Sequence, residues 1–240
     1  SLPLQVCARI LWPVQVISCH SRLEFPEMVG GFVVIDGNTE YHYGPLATAM
    51  KEGHLLIIDE YDLLDPGTAS GLNTVLEGRP LVIPENGGEI IQPHANFRVI
   101  VTGNTAGVGD STGMYQGTMQ QNLASVDRFW IVHVDYPHVD DEKKVLLNEV
   151  SLPEQVIDAM LKVAWQVRES FKGGESETQI NIPLSTRSLV RWAKLTWCFH
   201  GINKHGHSPL HYALDRAIGF KAEPEVREAL HEIVQRYAGE

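Results

Sequence analysis

Residues 55–60 read Leu-Leu-Ile-Ile-Asp-Glu, and no other hexapeptide in the chain restricts the fold so narrowly. Four consecutive apolar residues suit a strand buried on both faces, the condition of a strand inside a parallel sheet. Asp59 and Glu60 then fall at the carboxyl end of that strand, where open α/β sheets place their ligands. Two adjacent carboxylates there are costly unless something compensates them. In a nucleotide hydrolase the compensation is a magnesium ion held by the Asp through water, with an attacking water polarised by the Glu. An ordinary strand end running into the acidic turn Tyr61-Asp62 would read the same way.

Two later segments bear on that choice. Residues 98–105, Arg-Val-Ile-Val-Thr-Gly-Asn-Thr, form a second apolar strand ending in the polar Asn104, and a glycine-rich stretch then leads to Ser125-Val126-Asp127-Arg128-Phe129. This order resembles the core of an AAA+ ATPase. The resemblance implies that Asp59 and Glu60 are the Walker B pair, Asp59 holding magnesium and Glu60 activating water. It makes Asn104 the sensor 1 residue that positions that water, and Arg128 an arginine finger reaching a neighbouring subunit's site. A planar, permanently charged guanidinium suits charge developing on a phosphoryl group. The plainer alternative is a surface Arg128 paired with Asp127.

The segment from Gly103 to Asn122 is more particular. It closely resembles the equivalent stretch of the small AAA+ subunit of aerobic cobaltochelatase and of the MoxR-like ATPases. Asp59-Glu-Tyr-Asp62, Ile91-Gln-Pro-His94 with Phe97-Arg98, and Arg9 followed by Trp12-Pro13 resemble the same group, so the match spans roughly residues 3–135. It implies ATP and Mg2+ as cofactors, a homo-hexameric ring with two β-hairpins around its pore, and a partner protein carrying a von Willebrand factor A domain. The implied output is remodelling of that partner or assistance in metal insertion. The phosphate-loop pattern Gly-x-x-x-x-Gly-Lys-[Ser/Thr] is absent from these residues. In the family it directly precedes the first helix, so the chain is expected to start just downstream of it. The alternative is a non-hydrolysing pseudo-ATPase that serves as a scaffold or adaptor.

The expected fold class is therefore α/β: a P-loop NTPase AAA+ core of parallel sheet with helices on both faces and hairpin inserts, followed by a small all-helical lid. Asp36-Gly37 and Asn86-Gly87 mark the two hairpin turns. Strand and helix patterns alternate up to about residue 137, and only helical patterns follow. That places the core at 1–137 and the lid at 138–240. Residues 66–76 fit one helix, and Val156, Ile157, Met160, Leu161, Ala164, Val167 and Phe171 supply a helical stripe in the lid, which Trp192 and Trp197 are expected to pack; a solvated loop at 172–178 follows the stripe. Ser185-Thr-Arg187-Ser resembles the sensor 2 position, which implies that Arg187 contacts the nucleotide; an exposed arginine in a first helical turn is the alternative. On the first hairpin, Phe32, Tyr41 and Tyr43 either grip a partner or pack on one another.

Composition bounds the remaining classes. At 240 residues, with 43% hydrophobic and 20% charged, the chain reads as globular. No apolar run approaches the ~20 residues that cross a bilayer, and a net charge of −11 argues against a nucleic-acid surface. Three unpaired-looking cysteines favour reduced thiols and a cytoplasmic compartment. Cys198 with His200, His205, His207 and His211 is the densest set of potential metal ligands, but the spacing matches no established zinc pattern.

Overall fold

The computed structural model describes residues 2–110, 115–171 and 180–239. The side chains of Lys204 and His205, part of the glycine-rich stretch (111–114) and the loop expected at 172–178 lie outside the described residues. The chain divides into two compact units, Ser1–Val132 and His133–Glu240.

The first unit opens with α1 (Leu2–Ile10) and, after Trp12-Pro13, β1 (Val14–Ser18). Next come α2 (Phe25–Val29), the hairpin β2 (Gly30–Ile35) and β3 (Asn38–Tyr43), α3 (Pro45–Glu52) and β4 (Leu55–Asp59). Beyond it lie α4 (Pro66–Gly71), α5 (Asn73–Leu76), the short hairpin β5 (Leu81–Ile83) and β6 (Glu89–Ile91), β7 (Arg98–Val101) and α6 (Leu123–Val126). β4 is the middle of a three-stranded parallel sheet, with β1 and β7 on its flanks.

The pleat of β4 explains why all four of its apolar residues are buried. Successive side chains point to opposite faces. Leu55 and Ile57 pack with Cys7 of α1, whereas Leu56 and Ile58 join a larger core that includes Leu46, Ala47 and Met50 of α3. Helices thus cover both faces, as the unbroken apolar run requires. In register, Ser18 lies beside Asp59 and Val101 beside Ile58, so the carboxyl ends of the three strands finish together.

Both hairpins form at the expected turns. Asp36 and Gly37 both take positive φ (50° and 82°), the combination of a two-residue turn whose twist matches the strands. Residues 66–76 do not form one helix, however. The Leu72 N–H bonds the Ala69 carbonyl (3.1 Å), a three-residue step that tightens the chain between α4 and α5.

The second unit consists of helices α7 (Val139–Glu149), α8 (Glu154–Phe171), α9 (Thr186–Cys198), α10 (Pro209–Ala217) and α11 (Pro224–Ala238), with short 3₁₀ turns between. Ile157, Met160, Leu161, Ala164 and Val167 of α8 meet Leu189 and Trp192 of α9, Leu214 of α10 and Leu230 of α11 in one core. Trp192 satisfies its indole N–H on the Leu210 carbonyl (2.9 Å). Trp197 departs from expectation: it is 44% exposed and stacks on His200 instead of packing the core.

Inside this unit sits a buried ion pair that an acidic first turn of α7 does not announce. Glu142 is 2% exposed and accepts both terminal nitrogens of Arg168 (2.6 and 2.8 Å). Arg168 Nε donates to the Leu184 carbonyl, the Tyr136 ring covers the guanidinium, and Thr186 donates to Glu142. One charge pair therefore joins α7, α8 and the start of α9. Removing one partner strands the other charge in the interior, so Glu142→Ala is expected to cost about 3–5 kcal/mol. Urea unfolding followed by tryptophan fluorescence checks this.

Candidate functional site

β4 ends at Asp59 because the next residue leaves the extended region: Glu60 is left-handed, with φ 58° and ψ 43°. A non-glycine residue in that conformation costs of order 1–3 kcal/mol and persists only where its surroundings over-determine it. Thr102, immediately after β7, does so. Its hydroxyl accepts the Glu60 N–H (3.1 Å) and donates to Asp59 Oδ1. Its carbonyl accepts the Tyr61 N–H (2.8 Å), and its own N–H bonds the Ile58 carbonyl (3.0 Å). One threonine thus orients both carboxylate-bearing residues.

The turn after β7 is tied to the same corner. The buried Asp62 carboxylate accepts the N–H groups of Asn104 (2.6 Å) and Thr105 (2.7 Å), and the Asp62 carbonyl accepts the Met119 N–H (2.7 Å). Glu60 and Asn104 consequently line one cleft of about 490 Å³, together with Asp62, Leu63, Tyr115, Gln116 and Thr118. The sequence alone does not mark Asp62, Tyr115, Gln116 or Thr118 as site residues. Asp62 reads there as part of an acidic turn, and the other three as letters of a glycine-rich loop.

Among the described residues, no Lys, Arg or His forms an ion pair with Asp59 or Glu60. Their charge is felt next door. The Cys19 thiol is pushed up to about 12, first by burial and then by Asp59 and Glu60. Two oxygen-donor side chains without a protein counter-charge fit a hard cation such as magnesium, which keeps most of its waters and uses one or two carboxylates.

The remaining candidate residues lie elsewhere. Arg128, after α6, is not among the cleft-lining residues, and its pairing partner is Glu77 rather than Asp127. Its Nε bonds Glu77 Oε1 at 3.0 Å, with further bonds from Nη2 to the same oxygen and from Nη1 to the Ala124 carbonyl. These hydrogen bonds from Arg128 hold the Glu77 carboxyl below its ordinary range. Arg187 is exposed in the first turn of α9, in the second unit, where Ser185 caps the helix by accepting the Ser188 N–H (3.2 Å).

On the hairpins, Phe32 meets Tyr41 edge-on (5.3 Å) and Tyr41 meets Tyr43 (5.6 Å). The Tyr43 hydroxyl donates to Glu89 of the other hairpin (2.8 Å) and accepts from Lys51 of α3 (3.0 Å). Among the described residues, no three His, Cys, Asp or Glu side chains are grouped to hold a metal. His200 stacks on Trp197, and His211 meets His231 at 2.6 Å between Nδ1 atoms.

Comparison with known proteins adds the lineage. Residues 2–123 match the family described as AAA domain (dynein-related subfamily), and residues 142–237 match the CbbQ/NirQ/NorQ C-terminal family. The chain is 32% identical over 208 residues to the aerobic cobaltochelatase subunit CobS of Sinorhizobium sp., covering 82% of this chain and 61% of that one. An uncharacterized protein of Staphylococcus epidermidis is 30% identical over 220 residues (89% and 76% of the two chains). One from Staphylococcus aureus (strain USA300) is 32% identical over 170 residues (68% and 61%). The chain thus spans about three fifths of the length of CobS.

If Thr102 restrains Asp59 and Glu60 as described, Thr102→Val removes a donor and an acceptor while keeping the shape. The variant is expected to lose about 1–2 kcal/mol of stability, and Thr102→Ser to retain most of it. Paired urea unfolding curves test the difference.

Proposed function

We propose that this chain, which belongs to the dynein-related subfamily of AAA domains and has a CbbQ/NirQ/NorQ C-terminal region, hydrolyses ATP as a subunit of a MoxR-like ring motor. The observation that carries the reading is the convergence of Glu60, held in a left-handed turn, and Asn104 on one polar cleft at the carboxyl end of the parallel sheet. A strained acidic residue facing a ligand position is what a preorganised base needs.

In this reading Glu60 accepts a proton from the attacking water and Asn104 orients that water by hydrogen bonding. Asp59, its carboxylate oriented by Thr102, would hold the magnesium. The metal would supply neutralisation of charge on the nucleotide phosphates. Arg128 acts in trans, exchanging its Glu77 carboxylate for the phosphoryl group of a neighbouring subunit's nucleotide. Arg187 contributes a second positive charge in cis. The protein works as a homo-hexamer, in the cytoplasm, and applies hydrolysis to remodel a partner. The similarity to CobS, a subunit of aerobic cobaltochelatase, favours an output in metal insertion, and the family resemblance implies a partner with a von Willebrand factor A domain.

ATP turnover by the full-length protein tests this. Glu60→Gln is expected to keep ATP affinity and to lose turnover by about 10²-fold or more, the usual scale for removing a general base. Arg128→Ala is expected to be inactive alone yet to regain part of its turnover when mixed with Glu60→Gln, because mixed rings then contain sites with both residues intact. Unchanged turnover in both variants overturns the assignments. Absence of turnover in the unaltered protein, with and without a partner, leaves a non-hydrolysing scaffold as the better reading.

A further inference from the structure

We infer that Asp62 is the positioning residue for Asn104, acting on turnover through the conformation of the turn that carries it. This rests on the role proposed for Asn104. Asp62 is 3% exposed, and no described Lys, Arg or His forms an ion pair with it. A carboxylate so placed is stabilised only by the donors that reach it. Among the described residues these are two backbone groups of consecutive residues, Asn104 N–H at 2.6 Å and Thr105 N–H at 2.7 Å, and both converge on the same oxygen, Oδ2. Two donors on one charged acceptor leave the peptide planes at 104 and 105 little freedom, and a charged acceptor makes each bond about twice as strong as a neutral one.

A second observation comes from Gly103, the residue before Asn104. A Cβ added at Gly103 would collide with Asp62 Oδ1 and Cγ, so the chain passes over the carboxylate at a distance that only glycine permits. The Asp62 carbonyl meanwhile accepts the Met119 N–H (2.7 Å), so the far end of the glycine-rich loop returns to the same residue. Asp62 also lines the cleft shared by Glu60 and Asn104, two residues beyond Glu60 in sequence. It therefore links the strand end that bears the acidic pair to the strand end that bears Asn104. A change at Asp62 displaces Asn104 relative to Glu60 without touching either side chain.

Asp62→Asn in the full-length protein is the test, since it keeps shape and removes the charge. The expected result is a fall in kcat of about tenfold, equivalent to a modest loss of transition-state positioning, with KM for ATP unchanged. In an Asn104→Ala background the same substitution is expected to cost nothing more, because its effect passes through Asn104. Hydrogen exchange at the Asn104 and Thr105 amides is expected to accelerate at least tenfold in Asp62→Asn. Should that variant fail to fold, Gly103→Ala, which pushes the carboxylate away from its donors, serves in the same comparison. A wild-type kcat, or a full loss persisting in the Asn104→Ala background, overturns the inference while leaving the proposed activity intact. No turnover in the unaltered protein, or turnover indifferent to Glu60→Gln, overturns the activity and this role with it. Amide exchange that Asp62→Asn leaves unchanged overturns the tether itself.

Discussion

Because β4 is paired on both edges and packed on both faces, it has room for charge at one place only, its carboxyl end. Leu55 to Ile58 pair with β1 on one edge and β7 on the other, and their side chains pack in the two apolar clusters on opposite faces. A carboxylate anywhere earlier on this strand would be buried without a partner, at a cost of several kcal/mol. At Asp59 and Glu60 the chain turns out of the sheet, and the left-handed geometry of Glu60 makes the turn abrupt. The rest of the first unit can be read as what holds that turn in place.

Two polar side chains share that task. Thr102 restrains the Asp59–Glu60 corner with its hydroxyl and its backbone, and Asp62 collects the amides of the following turn. Both use hydrogen bonds with backbone N–H groups, which are rigid and cannot rotate away as a side-chain donor can. The same economy joins the hairpins. Tyr43, Glu89, Asn86 and Lys51 form one network in which the hydrogen bond from Tyr43, followed by those from Asn86 and Lys51, holds the Glu89 carboxyl below its usual range. A force applied to one hairpin would thereby reach the other and α3. The second unit is organised separately, around an apolar helical core and the buried Glu142–Arg168 pair that ties the start of α9 to α7 and α8.

Periodicity and turn chemistry are local properties, and both are legible in the order of the residues. The apolar run at 55–58 demands a doubly covered parallel strand, and Asp36-Gly37 demands a tight hairpin turn. The stripe on α8 demands a helix packed on one side. Each follows from the residues' own stereochemistry, and each is present. Local pattern fails where three-dimensional neighbours compete with propensity. Residues 66–76 carry a helical signature, yet the chain steps at Leu72. Trp197 has the composition of a core residue but faces solvent, because α9 buries Leu189, Trp192 and Ala193 on its other side.

The type and order of the candidate residues are likewise legible in the sequence: an acidic pair after an apolar strand, an asparagine after the next strand, and an arginine past a glycine-rich loop. Their geometry is not. That Glu60 is left-handed, that Thr102 bridges it to Asp59, that Asp62 is buried beneath the Asn104 turn, and that Arg128 rests on Glu77 are contacts between residues 42 to 51 positions apart. Such contacts exist only after β7 has docked beside β4 and α6 has closed near α5. The chain by itself determines which groups are available at the end of a parallel strand, because burial leaves no alternative. Only the folded sheet decides which of them meet, because hydrogen bonds of about 3 Å are set by strand register and loop closure, which no local pattern encodes.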